Sequence, residues 1–115
     1  MQPYSREQSV GLNLTANTLT TVYTVPKGYY AKWNLMYVFN GTGSTKHFTA
    51  YWTDSSASTD IYVLNQNSVN AKEYLRIDGG AYVVLEENDT VKVISEAGST
   101  FSVICTFELI KKQGI

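Results

Sequence analysis

Histidine and cysteine occur once each and proline twice in 115 residues, and charged residues make up only 17%, against about 25% in an average globular chain. Each shortage removes a class of function. A lone Cys105 can neither close an internal disulfide nor build a thiolate zinc site. A lone His47 cannot supply the His-rich metal set of a cupin-like enzyme. Nine basic residues face ten acidic ones, for a formal net charge of −1, and only Lys111 and Lys112 adjoin, so the basic footprint of a DNA- or RNA-binding surface is missing. No apolar stretch approaches the roughly 18 residues of a membrane span. The opening "MQPYSREQSV" has neither a basic n-region nor an apolar h-region, so a cytosol-like compartment and no membrane partner are expected. Asn-x-Thr sequons at Asn13, Asn40 and Asn88 then read as chance matches in a Thr-rich chain.

What is present is alternation with period two, and helical periodicity is hard to find. Ala31, Trp33, Leu35, Tyr37 and Phe39 share one strand face, as do Phe48, Ala50 and Trp52, then Ala81, Val83 and Leu85, and finally Phe101, Val103, Cys105, Phe107 and Leu109. These are the expected core faces. Turn clusters separate them: "VPKG" at 25 to 28, where Pro26 would set φ at the second position of a type I turn, then "NGTGS" at 40, "DSSAST" at 54, "NQNSVN" at 65, "DGG" at 78, "END" at 87 and "EAGS" at 96. Strands are expected at 10–14, 20–25, 30–40, 46–53, 60–64, 72–77, 81–86, 90–95 and 100–110. Eight or nine antiparallel strands without helix predict an all-β, two-sheet β-sandwich of jelly-roll type. Residues 1–8 read as a flexible N-terminal arm and 9–115 as the single sandwich domain.

One pattern does not fit a one-faced sandwich. Opposite the expected core face the third strand carries Met36 and Val38, and the last strand carries Ile104 and Ile110, so another subunit or the chain's own loops must cover them. Together with Tyr4 as an anchor in the arm, these residues form the expected interface of a homo-oligomer.

Chemistry is sparse by comparison. His47 with Asp54 or Asp60 and a nearby serine lacks any nucleophile elbow. "DSSASTD" lacks the ligand spacing of a calcium loop, and Glu86, Glu87 and Asp89 read as turn residues between two strands rather than an acid/base pair. No catalytic residue, metal or cofactor is expected. Tyr29, Tyr30, Tyr37, Tyr51, Trp52, Tyr62, Tyr74 and Tyr82 lie on or beside strands; they read as core or interface, with stacking on a glycan as the alternative.

The stretch "VYTVPKGYYAKWNLMYVFNGTGS" resembles the start of a family of small tailed-bacteriophage virion proteins. The matching residues are Tyr23, Thr24, Val25, Pro26, Gly28, Asn40 and Gly41, followed by Leu85, Asp89, Val91 and Val93; Asn88 stands where that family usually has Gly. The resemblance extends over about Thr20 to Glu108. It implies a non-enzymatic structural protein of the virion, assembled in the host cytoplasm and decorating or cementing the capsid surface as an oligomer. Its partners would be the major capsid protein or neck and tail proteins. A neck or tail adaptor and a carbohydrate-binding module are the alternatives.

Overall fold

The computed structural model describes residues 5–78 and 83–112. Nine strands and no helix occur among them: β1 (Ser5–Asn13), β2 (Thr20–Thr24), β3 (Tyr29–Asn40), β4 (Lys46–Asp54), β5 (Thr59–Val69), β6 (Tyr74–Ile77), β7 (Val83–Leu85), β8 (Thr90–Ser95) and β9 (Phe101–Lys111). One sheet has the order β1-β9-β3-β6, with β7 pairing β3 beside β6, and the other has the order β2-β8-β4-β5. Every pairing is antiparallel. β6 and β7 occupy successive halves of one β3 edge, opposite Met36–Phe39 and Ala31–Trp33 respectively. Taken as one interrupted strand, they complete the strand order of a jelly roll, in which all connections but β4–β5 and β6–β7 cross between the sheets. The expected sandwich is therefore the observed one.

Three local expectations need correction. Ser5 to Gln8, expected in the arm, belong to β1 and pair with Phe107 to Ile110 of β9, because alternating polar residues suffice for an edge strand whose outer side is solvated. Tyr4 lies outside the described residues. The polar cluster at 65–69, expected as a turn, continues β5 for the same reason: β5 is also an edge, and Gln66 at φ 52° absorbs a bulge there. In the β2–β3 turn the Tyr29 N–H donates to the Pro26 carbonyl at 3.2 Å, which makes Pro26 the first residue and Gly28 the third. Gly28 has φ 88°, the left-handed conformation that a type II turn requires at that position.

The largest correction lies in β3. Trp33 stands opposite Phe107 but Leu35 opposite Thr106, so Asn34 is an extra residue, a β-bulge that reverses the facing of everything after it. The Trp33 indole N–H donates to the Leu35 carbonyl at 3.1 Å across the bulge. Before it, Ala31 and Trp33 point into the core as expected. After it, Met36 and Val38 are buried at 2% and 0% exposure, while Leu35, Tyr37 and Phe39 are half-buried on the outward side. Met36 and Val38 are thus core residues and not interface residues.

β9 keeps unbroken alternation, with Phe101, Val103, Cys105, Phe107 and Leu109 all buried. Aromatic stacks tie the sheets together: Tyr23 of β2 lies 4.3 Å from Phe107, and Phe48 of β4 lies 5.6 Å from Phe101, centroid to centroid. Val83 and Leu85 line the interior as expected, while Ala81, Tyr82 and the glycines of the expected "DGG" turn lie outside the described residues.

The bulge predicts an inversion that can be measured in urea melts. Met36→Ala should cost about 2–5 kcal/mol, as truncation of a buried side chain does, and Leu35→Ala, one residue earlier, less than about 1.5 kcal/mol. A larger loss for Leu35→Ala would place the bulge elsewhere.

Candidate functional site

Two buried polar side chains stand at opposite ends of the sandwich, and both belong to the sequence pattern singled out above. Asn40 closes β3 at one end, fully buried. Its amide donates to the carbonyls of Ser44 and Val69, each at 2.9 Å, and its side-chain oxygen accepts the Thr42 N–H at 2.8 Å. It thereby joins the β3–β4 loop to the end of β5. Gly41 follows with its N–H 2.7 Å from the Thr100 carbonyl oxygen. A Cβ there would lie 3.3 Å from that oxygen, so the close approach of the two loops calls for glycine.

Asp89 plays the same part at the other end. Its carboxylate accepts the Ser55 N–H at 2.9 Å and hydroxyl at 3.0 Å, the Glu86 N–H at 2.9 Å and the Trp52 indole N–H at 3.0 Å. Burial acts to raise its pKa, but the donors from Ser55, Glu86 and Trp52 outweigh it and hold the carboxyl below its ordinary value. The β7–β8 turn is thereby tied to the β4–β5 loop. Glu87 in the same turn accepts the Gly28 N–H at 2.7 Å and lies 3.8 Å from the Lys112 ammonium. These acids hold turns together, as their sequence context indicated.

Residues that could have formed a hydrolytic triad are far apart. His47 is the second residue of β4 and Asp54 the last, seven residues along the strand, or about 23 Å at 3.3 Å per residue. His47 Nε2 instead lies 3.5 Å from the Glu96 carboxylate. Asp54 accepts from Ser56 at 2.7 Å, and Asp60 from Thr53 at 2.6 Å. Among the described residues no group of three or more His, Cys, Asp or Glu is placed to hold a metal ion. Cys105 is buried in the middle of β9, and burial pushes its thiol up to about 12, with a smaller opposing effect from Trp33.

The exposed side of the five-stranded sheet is unlike these structural clusters. Adjacent residues across it form rows: Ser5, Ile110 and Tyr30; Ser9, Thr106 and Leu35; Gly11, Ile104, Tyr37 and Arg76; Asn13, Ser102, Phe39 and Tyr74. Apolar and aromatic side chains therefore line β3 from Leu35 to Phe39, with Ile104 of β9 and Tyr74 of β6 beside them, while Tyr30 and Ile110 lie beyond a charged row of Glu7, Glu108 and Lys32. Ile104 is 41% exposed, Tyr74 57%, and Tyr37 stacks on Tyr74 at 5.2 Å. Polar pairs of β1 and β9 border this stripe on one side, Ser9 with Thr106 and Asn13 with Ser102, both at 2.7 Å, and Lys32 with Glu108 at 4.0 Å bounds it at the Leu35 end. Of the expected interface residues, Ile104 and Ile110 lie on this face, Met36 and Val38 do not, and Tyr4 is outside the described residues. Leu35, Tyr37 and Phe39 take the place of Met36 and Val38. The sequence carries the signal for this exchange, since apolar residues on both parities of one strand, with Asn34 between, are what a bulge leaves behind.

No family model matches the chain, and no curated protein matches it. Among solved structures, a chain of the Bacillus endospore appendages, described as a novel family of disulfide-linked pili, is similar at a TM-score of 0.55 and 16% identity, over 98% of this chain and 93% of that one. Eiger TNF from S. frugiperda has a TM-score of 0.40 at 15% identity, over 83% of this chain and 66% of its own. The pilus likeness runs nearly end to end and shows a shared fold.

Two measurements test this account of the buried groups. Asp89→Asn places an amide nitrogen against N–H donors and should cost about 3 kcal/mol at neutral pH. Because the folded-state pKa of Asp89 lies below the unfolded value near 3.9, its contribution is complete above that value and is lost as pH falls through the folded one. The stability gap between wild type and variant in urea melts should therefore narrow below about pH 4; a gap that stays constant in acid would mean that charge plays no part. Cys105 should react with a thiol reagent only after denaturation, and rapid labelling of the native protein would contradict the facing of β9.

Proposed function

We propose that this chain is a non-enzymatic structural protein of a tailed-phage particle, a jelly-roll subunit that packs against further copies of itself and decorates or cements the capsid surface. The observation that carries the reading is the apolar stripe on the outward side of the five-stranded sheet, which combines aromatic anchors with a polar rim. The stripe lies on β3 with Ile104 of β9 and Tyr74 of β6 beside it, and β3 is paired along both of its edges, so the stripe is presented on a well-supported strand.

A second copy is the partner favoured by charge. Lys32 faces Glu108, with Glu7 in the same row, and Arg76 lies 3.2 Å from Asp78, so the carboxylates and cations stand beside Leu35, Tyr37, Phe39 and Ile104, whose own uncharged side chains meet a second copy without like-charge repulsion. The resemblance to small virion proteins supplies the particle, and its residues make sense as scaffold: Gly28, Asn40, Gly41 and Asp89 hold the loops that let the sheets keep their order. Assembly by disulfides, as described for the endospore pili, does not suit this chain. Its one cysteine is buried in a central strand.

Light scattering on the purified chain and co-sedimentation with undecorated particles test the proposal. Ile104→Asp and Tyr37→Asp should each weaken self-association by about 2 kcal/mol or more, roughly thirty-fold, with little change in the thermal melt. Met36→Asp should unfold the protein instead, because it buries an unpaired charge. A wild type that stays monomeric and binds no particle, or Asp variants that assemble normally, would refute the assignment. Copy number per particle, by mass spectrometry, separates shell from neck or tail.

A further inference from the structure

The opposite face of the sandwich carries a groove of about 420 Å³ on the outward side of the β2-β8-β4-β5 sheet. Tyr51 and Tyr62, cross-strand neighbours on β4 and β5, form its aromatic wall with ring centroids 4.9 Å apart. Tyr62 is 56% exposed, so a ring face is free to be covered. Two register shifts of β5 against β4 fall here, between Phe48 and Tyr51. At one of them Gln66 takes a left-handed φ of 52°, and its N–H donates to the buried Thr49 hydroxyl at 2.9 Å. A non-glycine residue in that conformation persists only where its surroundings hold it, and here the bulge brings the side chains of Asn65 and Gln66 to the groove beside the two rings.

Asn17 enters the groove from the β1–β2 connection, its backbone N–H bonded to the Ser95 carbonyl at 2.9 Å. The side-chain amides of Asn17, Asn65 and Gln66 engage no partner among the described residues. Each amide carries both donors and an acceptor. Glu96 closes the end of the groove, where its carboxylate accepts the His47 N–H at 2.9 Å and lies 3.8 Å from the Lys46 ammonium. That charge is compensated locally, and the rest of the lining is neutral.

We infer that this groove is a binding site for an uncharged glycan. A pyranose ring offers C–H groups on one face and hydroxyls around its edge; the first suits the exposed tyrosine rings, and the second suits side-chain amides able to donate and accept at once. The volume lies toward the small end of ligand sites, which span about 300–1,000 Å³, and accommodates a disaccharide. An apolar partner would leave the three amides without hydrogen bonds, at a cost in desolvation. The lining offers an anionic sugar no cation free of a carboxylate, because the His47 imidazole already lies 3.5 Å from Glu96. The site lies on the other sheet from the proposed assembly face, so the two readings stand or fall separately.

The test is a two-dimensional ¹H–¹⁵N NMR titration of the full chain with cellobiose, maltose, lactose, chitobiose and mannobiose, with 3′-sialyllactose as the anionic probe. At least one uncharged sugar should shift, in a saturable way, the backbone amides of Tyr51, Tyr62, Asn65 and Gln66 and the side-chain amides of Asn65 and Gln66. Tyr62→Ala, at an exposed edge-strand position, and Asn65→Ala should each weaken that binding by about tenfold, while Tyr74→Ala on the far sheet leaves it unchanged. The same spectra report whether each variant is folded. The inference is overturned if no uncharged sugar moves these amides, if only the sialylated probe does, or if folded Tyr62→Ala and Asn65→Ala bind as the wild type does.

Discussion

A single extra residue in β3 determines which side chains this protein keeps and which it shows. With Trp33 opposite Phe107 and Leu35 opposite Thr106, the alternation that begins with Ala31 and Trp33 facing inward ends with Met36, Val38 and Asn40 facing inward. Asn34 is the point of reversal. Without that reversal Asn40 would point outward, and the carbonyls of Ser44 and Val69 would lose the amide that joins them. The bulge therefore sets the core, the outward aromatic stripe and the loop anchor through one local irregularity, as expected where strand side chains alternate strictly between two faces.

The jelly roll sends its chain from sheet to sheet six times, and each crossing exposes backbone groups that need partners. Asn40 and Asp89 meet that need at the two ends. Asn40 supplies donors and an acceptor to loops that lack both; Asp89, ionised, serves four donors that converge on it. Both are buried and both are saturated, the condition under which a buried polar group specifies a structure rather than weakening it. The two residues hold the crossings in place whatever the outer faces do.

Those outer faces differ in chemistry. The five-stranded sheet shows apolar and aromatic side chains with charged residues at the margin, and the four-stranded sheet shows a polar groove walled by Tyr51 and Tyr62. Tyrosine serves both, because it combines a broad apolar face with one polar tip. The layered architecture separates the two by the full thickness of the core, so a subunit packed on one side leaves the other open.

From the sequence by itself followed the all-β class, the two-sheet arrangement, most strand limits, the inward face of β9 with its buried cysteine, and the turn-holding role of Asp89. Tertiary structure decided what alternation cannot express. Ser5 to Gln8, expected within an arm of residues 1–8, became part of an edge strand because β9 offered them an unpaired neighbour. Polar residues 65–68, which read as part of a turn, became strand because an edge position can face solvent. Met36 and Val38 exchanged places with Leu35, Tyr37 and Phe39 because a bulge is defined by registry against a partner strand. The tyrosines of the groove, separated by ten residues of sequence, came together only through the pairing of β4 with β5. Alternation records which way neighbouring side chains differ, and only pairing between distant strands establishes which of the two ways is inward.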